Sequence, residues 1–368
     1  MAVVKKTALA ACATMTLAGA AHAQSSVTLY GLIDAGITYT SNQKGGQTYQ
    51  MMSGLAQGSR WGLRGSEDLG GGLHAIFTLE NGFSIANGTL GQGGLMFGRQ
   101  AFVGLASDRY GTVTLGRQYE EMVEYVSPLT TDQWSVLFEH PGDNDNTNRG
   151  FRVNNAVKYA SPDLSGAQFS ALYSFGGVPG SFSHNSVYSL GAHYQRDGLY
   201  AAAAYTHVDH PGQINTGTFW TSANSVTGTY ALAASAYDVF GVGASYQIGQ
   251  LKLGGAFTQS IFKDSFDNGN VRFQNYEVNA SYRFTPTLLL GAAYVYTDGN
   301  VDATDSHPRY QQASLFVDYN LSRRTDLYLM ATGQKAGGSA EVAQVSQFLS
   351  ASGTDRQASV AVGMRHRF

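Results

Sequence analysis

The chain has 368 residues, and its 23 basic and 26 acidic side chains leave a formal net charge of −3, which excludes a nucleic-acid binder held by a basic surface. With 43 % hydrophobic and 12 % aromatic residues, it is not a disordered chain. No run of about 18 apolar residues occurs, so spanning helices are excluded, and the mean hydropathy of −0.17 fits a barrel wall in which every second residue is polar.

The N-terminus reads as an export signal. Lys5 and Lys6 form a basic start, Thr7 to Ala20 are small or apolar, and Ala21-His22-Ala23 is a small-x-small cleavage site. Leu9-Ala10-Ala11-Cys12 also resembles a lipoprotein processing site, but cleavage there would leave almost no apolar stretch after Lys6. Residues 1–23 are therefore expected to be removed, with Gln24 beginning the mature chain. The remainder loses two lysines and no acid, so it carries −5. Cys12 is the one cysteine, so the mature chain has neither disulfides nor thiolate metal sites.

From there on the dominant signal is period two. Phe240, Val242, Ala244, Tyr246 and Ile248 alternate with Gly241, Gly243, Ser245 and Gln247. Over 276–284 every even position is apolar or aromatic, apart from the small Ala280, and every odd one is polar. Ala313, Leu315, Val317 and Tyr319 continue the pattern, as do Val360, Val362, Met364 and Phe368. Such spacing places one face of a strand in oil and the other in water.

Two kinds of punctuation separate the strands. Short turns are expected at 65–72, 107–111, 161–166, 195–198, 247–250, 284–287 and 320–326. Longer polar stretches lie near 40–57, 84–95, 119–150, 176–185, 209–239, 263–270, 299–308 and 336–355. Alternating short turns and long loops predict an all-β, up-and-down antiparallel barrel of sixteen strands over 24–368, with every long loop at one rim. Lipid offers no hydrogen bonds, so the sheet must close. A soluble sandwich would pack an Ile/Leu/Val core; here the apolar face is rich in Ala, Gly, Tyr and Phe. Tyr282, Phe284, Tyr294 and Tyr296 lie near strand ends, where aromatic girdles meet headgroups.

Several segments resemble the general-diffusion porins of Gram-negative outer membranes, over essentially the whole mature chain. They are Gln24 to Asp34, Ser59 to Leu73, Phe97 to Leu105, Thr112 to Gln118, Phe151 to Tyr159 and Val362 to Phe368. The resemblance implies a homotrimer of sixteen-stranded barrels in the outer membrane, in contact with lipid and lipopolysaccharide. Each barrel would have its own water-filled pore for ions and small hydrophilic solutes. The third long loop, 119–150, would fold inward as a constriction. A terminal Phe368 would be read by the barrel assembly machinery.

Strand parity then places charges. Trp61 and Leu63 face out, so Arg60 and Arg64 face in; Leu73, Ala75, Phe77 and Leu79 face out, so His74, Thr78 and Glu80 face in. Val153, Val157 and Tyr159 face out, so Arg152 and Lys158 face in. Arg64 and Lys158 suit the rim as well as the constriction. Parity does not decide Arg99, which the family motif places in the lumen. Arg117 shares a face with Val113 and Leu115, costly against lipid; the resemblance turns it toward the trimer centre.

Loop 119–150 carries seven acids, including Glu121, Glu124 and Asp143, against Arg149. Folded inward, it would set an acidic side, with Glu80, against a basic wall of Arg60, Arg99 and Arg152. The bland reading of these acids is a solvated surface or a cation bridge to lipopolysaccharide. Two unit charges 8 Å apart in water interact by about 0.5 kcal/mol, so the expectation is weak cation preference at most and no tight site.

A substrate-selective channel would need an ordered aromatic series; Tyr30, Phe102, Phe316 and Tyr328 are its scattered candidates. A barrel enzyme would need a serine or acid beside a histidine. The mature chain has His74, His140, His184, His193, His207, His210, His307 and His366, dispersed along it. No nucleophile elbow or phosphate-binding loop occurs. His207 and His210 with Asp209 form the one close group, read as a polar loop edge and not as a metal site. No enzyme, cofactor, metal or nucleic-acid partner is expected.

Overall fold

The computed structural model describes residues 26–214 and 220–368; the expected export signal over 1–23 and Gln24 lie outside the described residues. The strands are β1 (Ser26–Gln43), β2 (Gly46–Ser53), β3 (Arg60–Gly70), β4 (Leu73–Gly82), β5 (Gln100–Ser107), β6 (Gly111–Gln118), β7 (Val153–Ala160) and β8 (Ala167–Ser174). They continue as β9 (Val187–Arg196), β10 (Leu199–Asp209), β11 (Ala236–Ile248), β12 (Leu251–Phe266), β13 (Gly269–Arg283), β14 (Leu288–Val301), β15 (Pro308–Asn320), β16 (Thr325–Gly338) and β17 (Arg356–Arg367).

Neighbours in sequence pair antiparallel, except β2 and β3, which both pair with β1. The outer half of β1 pairs with β2, its inner half with β3, and its other edge with β17. Thus β2 and β3 are one wall strand interrupted at 54–59, and the wall is a closed barrel of sixteen strands, as the alternation of turns and loops requires. The seam is sealed at its end by two backbone hydrogen bonds between Gly31 and Phe368, each 3.0 Å.

The seven short turns fall where the sequence places them. The eight long connections share the opposite rim, but two are not loops. β1 and β2 run on to a turn at 44–45, and β12 and β13 to a turn at 267–268. Polar strands continue to pair above the membrane because the ladder needs only backbone groups.

The outward face is the apolar one. Ile37, Val278, Leu315, Phe284 and Val362 are all more than half exposed, the surface a barrel presents to hydrocarbon. One strand departs from the parity reading. Val153 is buried instead of facing out, and packs with Phe151 and Val187. The β6–β7 register slips between Gly116 and Gln118, which pair with Ala156 and Val153, and Asn155 is left-handed at φ 51°. One extra residue on β7 inverts the alternation, so the outward face resumes only at Val157.

Residues 119–150 lie inside the barrel as short 3-10 and π turns. Their apolar side packs on the inner wall in two clusters. Met122, Val126 and Leu129 join Val239, Phe262 and Phe273; Leu137 and Phe138 join Leu55, Phe316, Tyr328 and Met330. Glycines on the wall make room for the segment. A Cβ at Gly191 would meet Tyr125 at 2.4 Å, at Gly241 Met122 at 2.7 Å, and at Gly291 Trp134 at 2.8 Å. Phe316 and Tyr328 are covered by the loop, so they cannot form a slide for solutes.

Candidate functional site

Two wall strands and the ends of the inner loop bring the arginines together. Arg60 opens β3, Arg99 immediately precedes β5, and Arg152 immediately precedes β7. Glu80 of β4 stands between the first two. Arg99 Nε donates to Glu80 at 2.7 Å, Arg60 lies 3.6 Å from its other oxygen, and Tyr30 donates to that same oxygen at 3.0 Å. Arg152 Nη2 and Arg99 Nη2 both donate to the Tyr119 hydroxyl, at 2.8 and 3.0 Å. The Arg152 guanidinium also stacks over the Tyr119 ring, 4.8 Å from its centroid, a favourable position for a cation. Arg60 and Arg152 each donate once more, to the carbonyls of Gly58 and Gly150.

Tyr119 is the residue that sequence reasoning missed. It sits just past β6, where alternation ends and no spacing signal reaches. Arg99, undecided by parity, joins the group because its strand begins one residue later.

These arginines open on a cavity of about 670 Å³ lined also by Arg149, Gln57, Asn148 and the 83–93 connection. Among its lining residues the one acid is Asp132. Burial, with Asp145 and Glu277 nearby, pushes the Asp132 carboxyl up to about 7, against the pull of His140.

The other loop acids do not line this cavity. Glu120 accepts from the backbone of Met122 and Val123 and from Asn146. Glu121, expected in the lumen, is buried against Ser170 and Lys158. Asp143, also expected there, is buried and accepts from the Asn148 backbone at 3.0 Å; burial holds its carboxyl well above the usual range. Glu139 is buried beneath Gln347 and Asn148. Asp145 accepts from His140 at 2.6 Å, and the other ring nitrogen of His140 reaches Glu277 of β13 at 2.9 Å. Only Glu124 is substantially exposed, its side chain at 42 %, and it pairs with Lys158 at 2.8 Å. A loop packed by its apolar residues carries its acids into that same contact, where wall hydroxyls, loop amides and Lys158 meet part of their hydrogen-bonding capacity; Glu121 Oε2 and Asp143 Oδ2 have no such partner.

Arg117, near the end of β6, is buried; its Nε donates to the Gly98 carbonyl at 2.8 Å and the guanidinium also reaches Asn154. Arg64 is exposed in the lumen, 5.4 Å from the Tyr30 ring centroid.

Known proteins share this architecture. A family model described as Gram-negative porin matches residues 7–339. An outer membrane porin protein of Bordetella pertussis is 30 % identical over 99 % of this chain and 100 % of its own. Outer membrane porin protein 32 of Delftia acidovorans is 30 % identical over the same shares. Among solved structures, the anion-selective porin from Comamonas acidovorans superposes with a TM-score of 0.75 at 26 % identity, covering 94 % of this chain and 100 % of that one. A closed sixteen-stranded barrel with a polar lumen and a loop folded into it, matched along nearly its whole length, belongs to the Gram-negative porin family: this chain is an outer-membrane channel for passive diffusion.

Proposed function

We propose that the diffusion path passes the arginine cluster and favours small anions and anionic solutes over cations. The single observation that carries this reading is the charge lining the cavity. Arg60, Arg99, Arg149 and Arg152 face it with Asp132 as their one acidic counterpart, and Glu80 offsets part of the cluster from within. Glu80, Glu121, Glu124 and Asp143 do not make an opposing acidic side in this reading, because Glu121 is buried against Ser170 and Lys158 and Asp143 is buried within the loop, on the Asn148 backbone. The sign is therefore opposite to the weak cation preference that loop charge suggests. The Comamonas relative is named as anion-selective, which agrees.

Each charge contributes about 0.5 kcal/mol at 8 Å in water, screened over about 8 Å at physiological salt. The sum biases a flux without trapping a solute. The test is the reversal potential of single channels in a potassium chloride gradient. Its sign should indicate anions, and replacing Arg60 and Arg152 by alanine together should move it toward cations. A cation-selective wild type, or a double variant with unchanged potential, would overturn the reading.

The assembled unit is proposed to be a homotrimer, with Arg117 near its centre. Arg117 shares strand parity with the exposed Val113 and Leu115 and is itself buried, bonded to its own chain's Gly98 and Asn154; this supports a guanidinium tolerated on that face. Crosslinking or native mass showing only monomers would contradict the trimer. The family is one of pores, not of enzymes, and the histidines serve structure in this reading.

A further inference from the structure

The spacing of His207 and His210 suggests them as a pair, but the fold separates them. His207 of β10 goes to Asp238 of β11 at 2.6 Å, where Lys263 also pairs with that carboxylate. His210 instead meets His184, from the connection between β8 and β9. Their rings lie 4.4 Å apart. Asp209, the last residue of β10, stands between them. Its Oδ2 is 2.9 Å from His210 Nδ1 and 3.7 Å from His184 Nδ1. One donor atom from each of the three residues falls within 4.8 Å of the other two.

We propose that His184, Asp209 and His210 form a binding site for a divalent transition cation of the zinc class, which clips together two connections at the loop rim.

Four observations support it. First, the spacing fits: tetrahedral zinc, with bonds of about 2.0–2.1 Å, sets its ligands about 3.3 Å apart, and 2.9 and 3.7 Å bracket that value. Second, two imidazoles and one carboxylate are the donors that borderline transition cations prefer, whereas calcium or magnesium takes oxygen. Third, among the described residues no lysine or arginine pairs with Asp209, unlike Asp238, so the group keeps the negative charge a cation needs. Fourth, the ligands are held from outside. The Asn185 backbone donates to Asp209 Oδ2 at 2.7 Å. His210 is left-handed at φ 49°, and its backbone N–H donates to the Ser235 carbonyl at 2.9 Å. A left-handed histidine ahead of Pro211 is a conformation that surroundings must impose.

All three side chains are between a quarter and two-fifths exposed, so a cation can enter from solvent and water can fill the fourth position. A metal takes an imidazole nitrogen that carries no proton, so binding releases protons.

The test is titration of the folded, detergent-solubilised protein with zinc chloride, followed calorimetrically, and with cobalt chloride, followed by visible absorption. One ion per chain is expected, with a tetrahedral cobalt spectrum. Protons compete with the cation for the imidazole nitrogens, so affinity should fall on acidification. Loss of a second-shell partner costs about 10–100-fold in metal affinity, so His184→Ala and His210→Ala should each weaken binding by at least that much. His366→Ala should bind as wild type does. Circular dichroism confirms that each variant is a folded barrel. Failure of the wild type to bind zinc, or equal binding in the His184 and His210 variants, would overturn the proposal.

Discussion

The Tyr119 hydroxyl accepts from two guanidiniums at once, so one oxygen fixes where two of the three clustered cations stand. A hydrogen bond to a charged group is worth about 1.5–3 kcal/mol, enough to hold an arginine that water would otherwise keep mobile. Tyr119→Phe should leave the barrel intact and change single-channel conductance, with broader current noise as Arg99 and Arg152 sample new positions; an unchanged trace would count against a positioning role. Glu80 acts in the opposite sense, drawing Arg60 and Arg99 together and masking part of their charge. Glu80→Gln should shift the reversal potential further toward anions. The sequence exposed Arg60 and Glu80 through the simple alternation of β3 and β4. It was silent on Tyr119, since a residue beyond a strand end has no period to betray its direction. It misplaced Val153 because a single bulged residue reverses parity and leaves no mark in composition.

The inner loop is held as an element by a histidine between two carboxylates. Burial works against the charge of His140, but Asp145 and Glu277 outweigh it and hold the imidazole well above its usual 6.5. Burial likewise opposes ionisation of Asp145, but His140 pulls its carboxyl down to about 2. The stabilisation from His140 is complete below about 6.5 and is lost as pH rises through its raised native value; that from Asp145 is present above about 3.8 and lost as pH falls through about 2. Glu139, pushed up to about 8 chiefly by burial, costs stability as pH climbs from 4.5 toward that value. Both alkaline effects point one way, so loop-derived current noise should grow as pH rises above neutrality; noise that is flat from pH 6 to 10 would contradict it. His140→Ala leaves Asp145 and Glu277 as buried charges without their partner, a change that costs about 3–5 kcal/mol in buried pairs. That variant should show the noise already at pH 7, with the barrel still heat-resistant in detergent. Loop length and acidity were legible in the sequence. The direction of the acids was not, because a loop of short turns repeats no spacing and its contacts lie on strands far along the chain.

At the scale of the molecule, strand number and handling of the two rims followed from punctuation alone, since each short turn requires a return strand. Where loops at 40–57 and 263–270 proved to be paired strands, polar composition had hidden them: above the membrane neither face needs to be apolar. Phe368 contributes twice, through backbone bonds to Gly31 and through a ring packed where a Gly31 side chain would stand, 2.5 Å from its Cζ. Deleting Phe368 should sharply reduce folded protein at the surface, and Gly31→Val should weaken the same seam by displacing the ring; normal heat resistance of both would show the seam to be closed by the remaining pairs. That seam has a consequence in time. β1 is made before every other described strand, yet its Leu32–Thr40 edge finds its partner only when Ser359–Arg367, the last of the described strands, arrives. Every earlier stage of the chain therefore carries an open edge, and the longest-range contact in the protein is the one that must form last. Truncation anywhere along the wall does not yield a smaller pore; it yields a sheet still looking for its other end, for which any neighbouring chain's edge will serve.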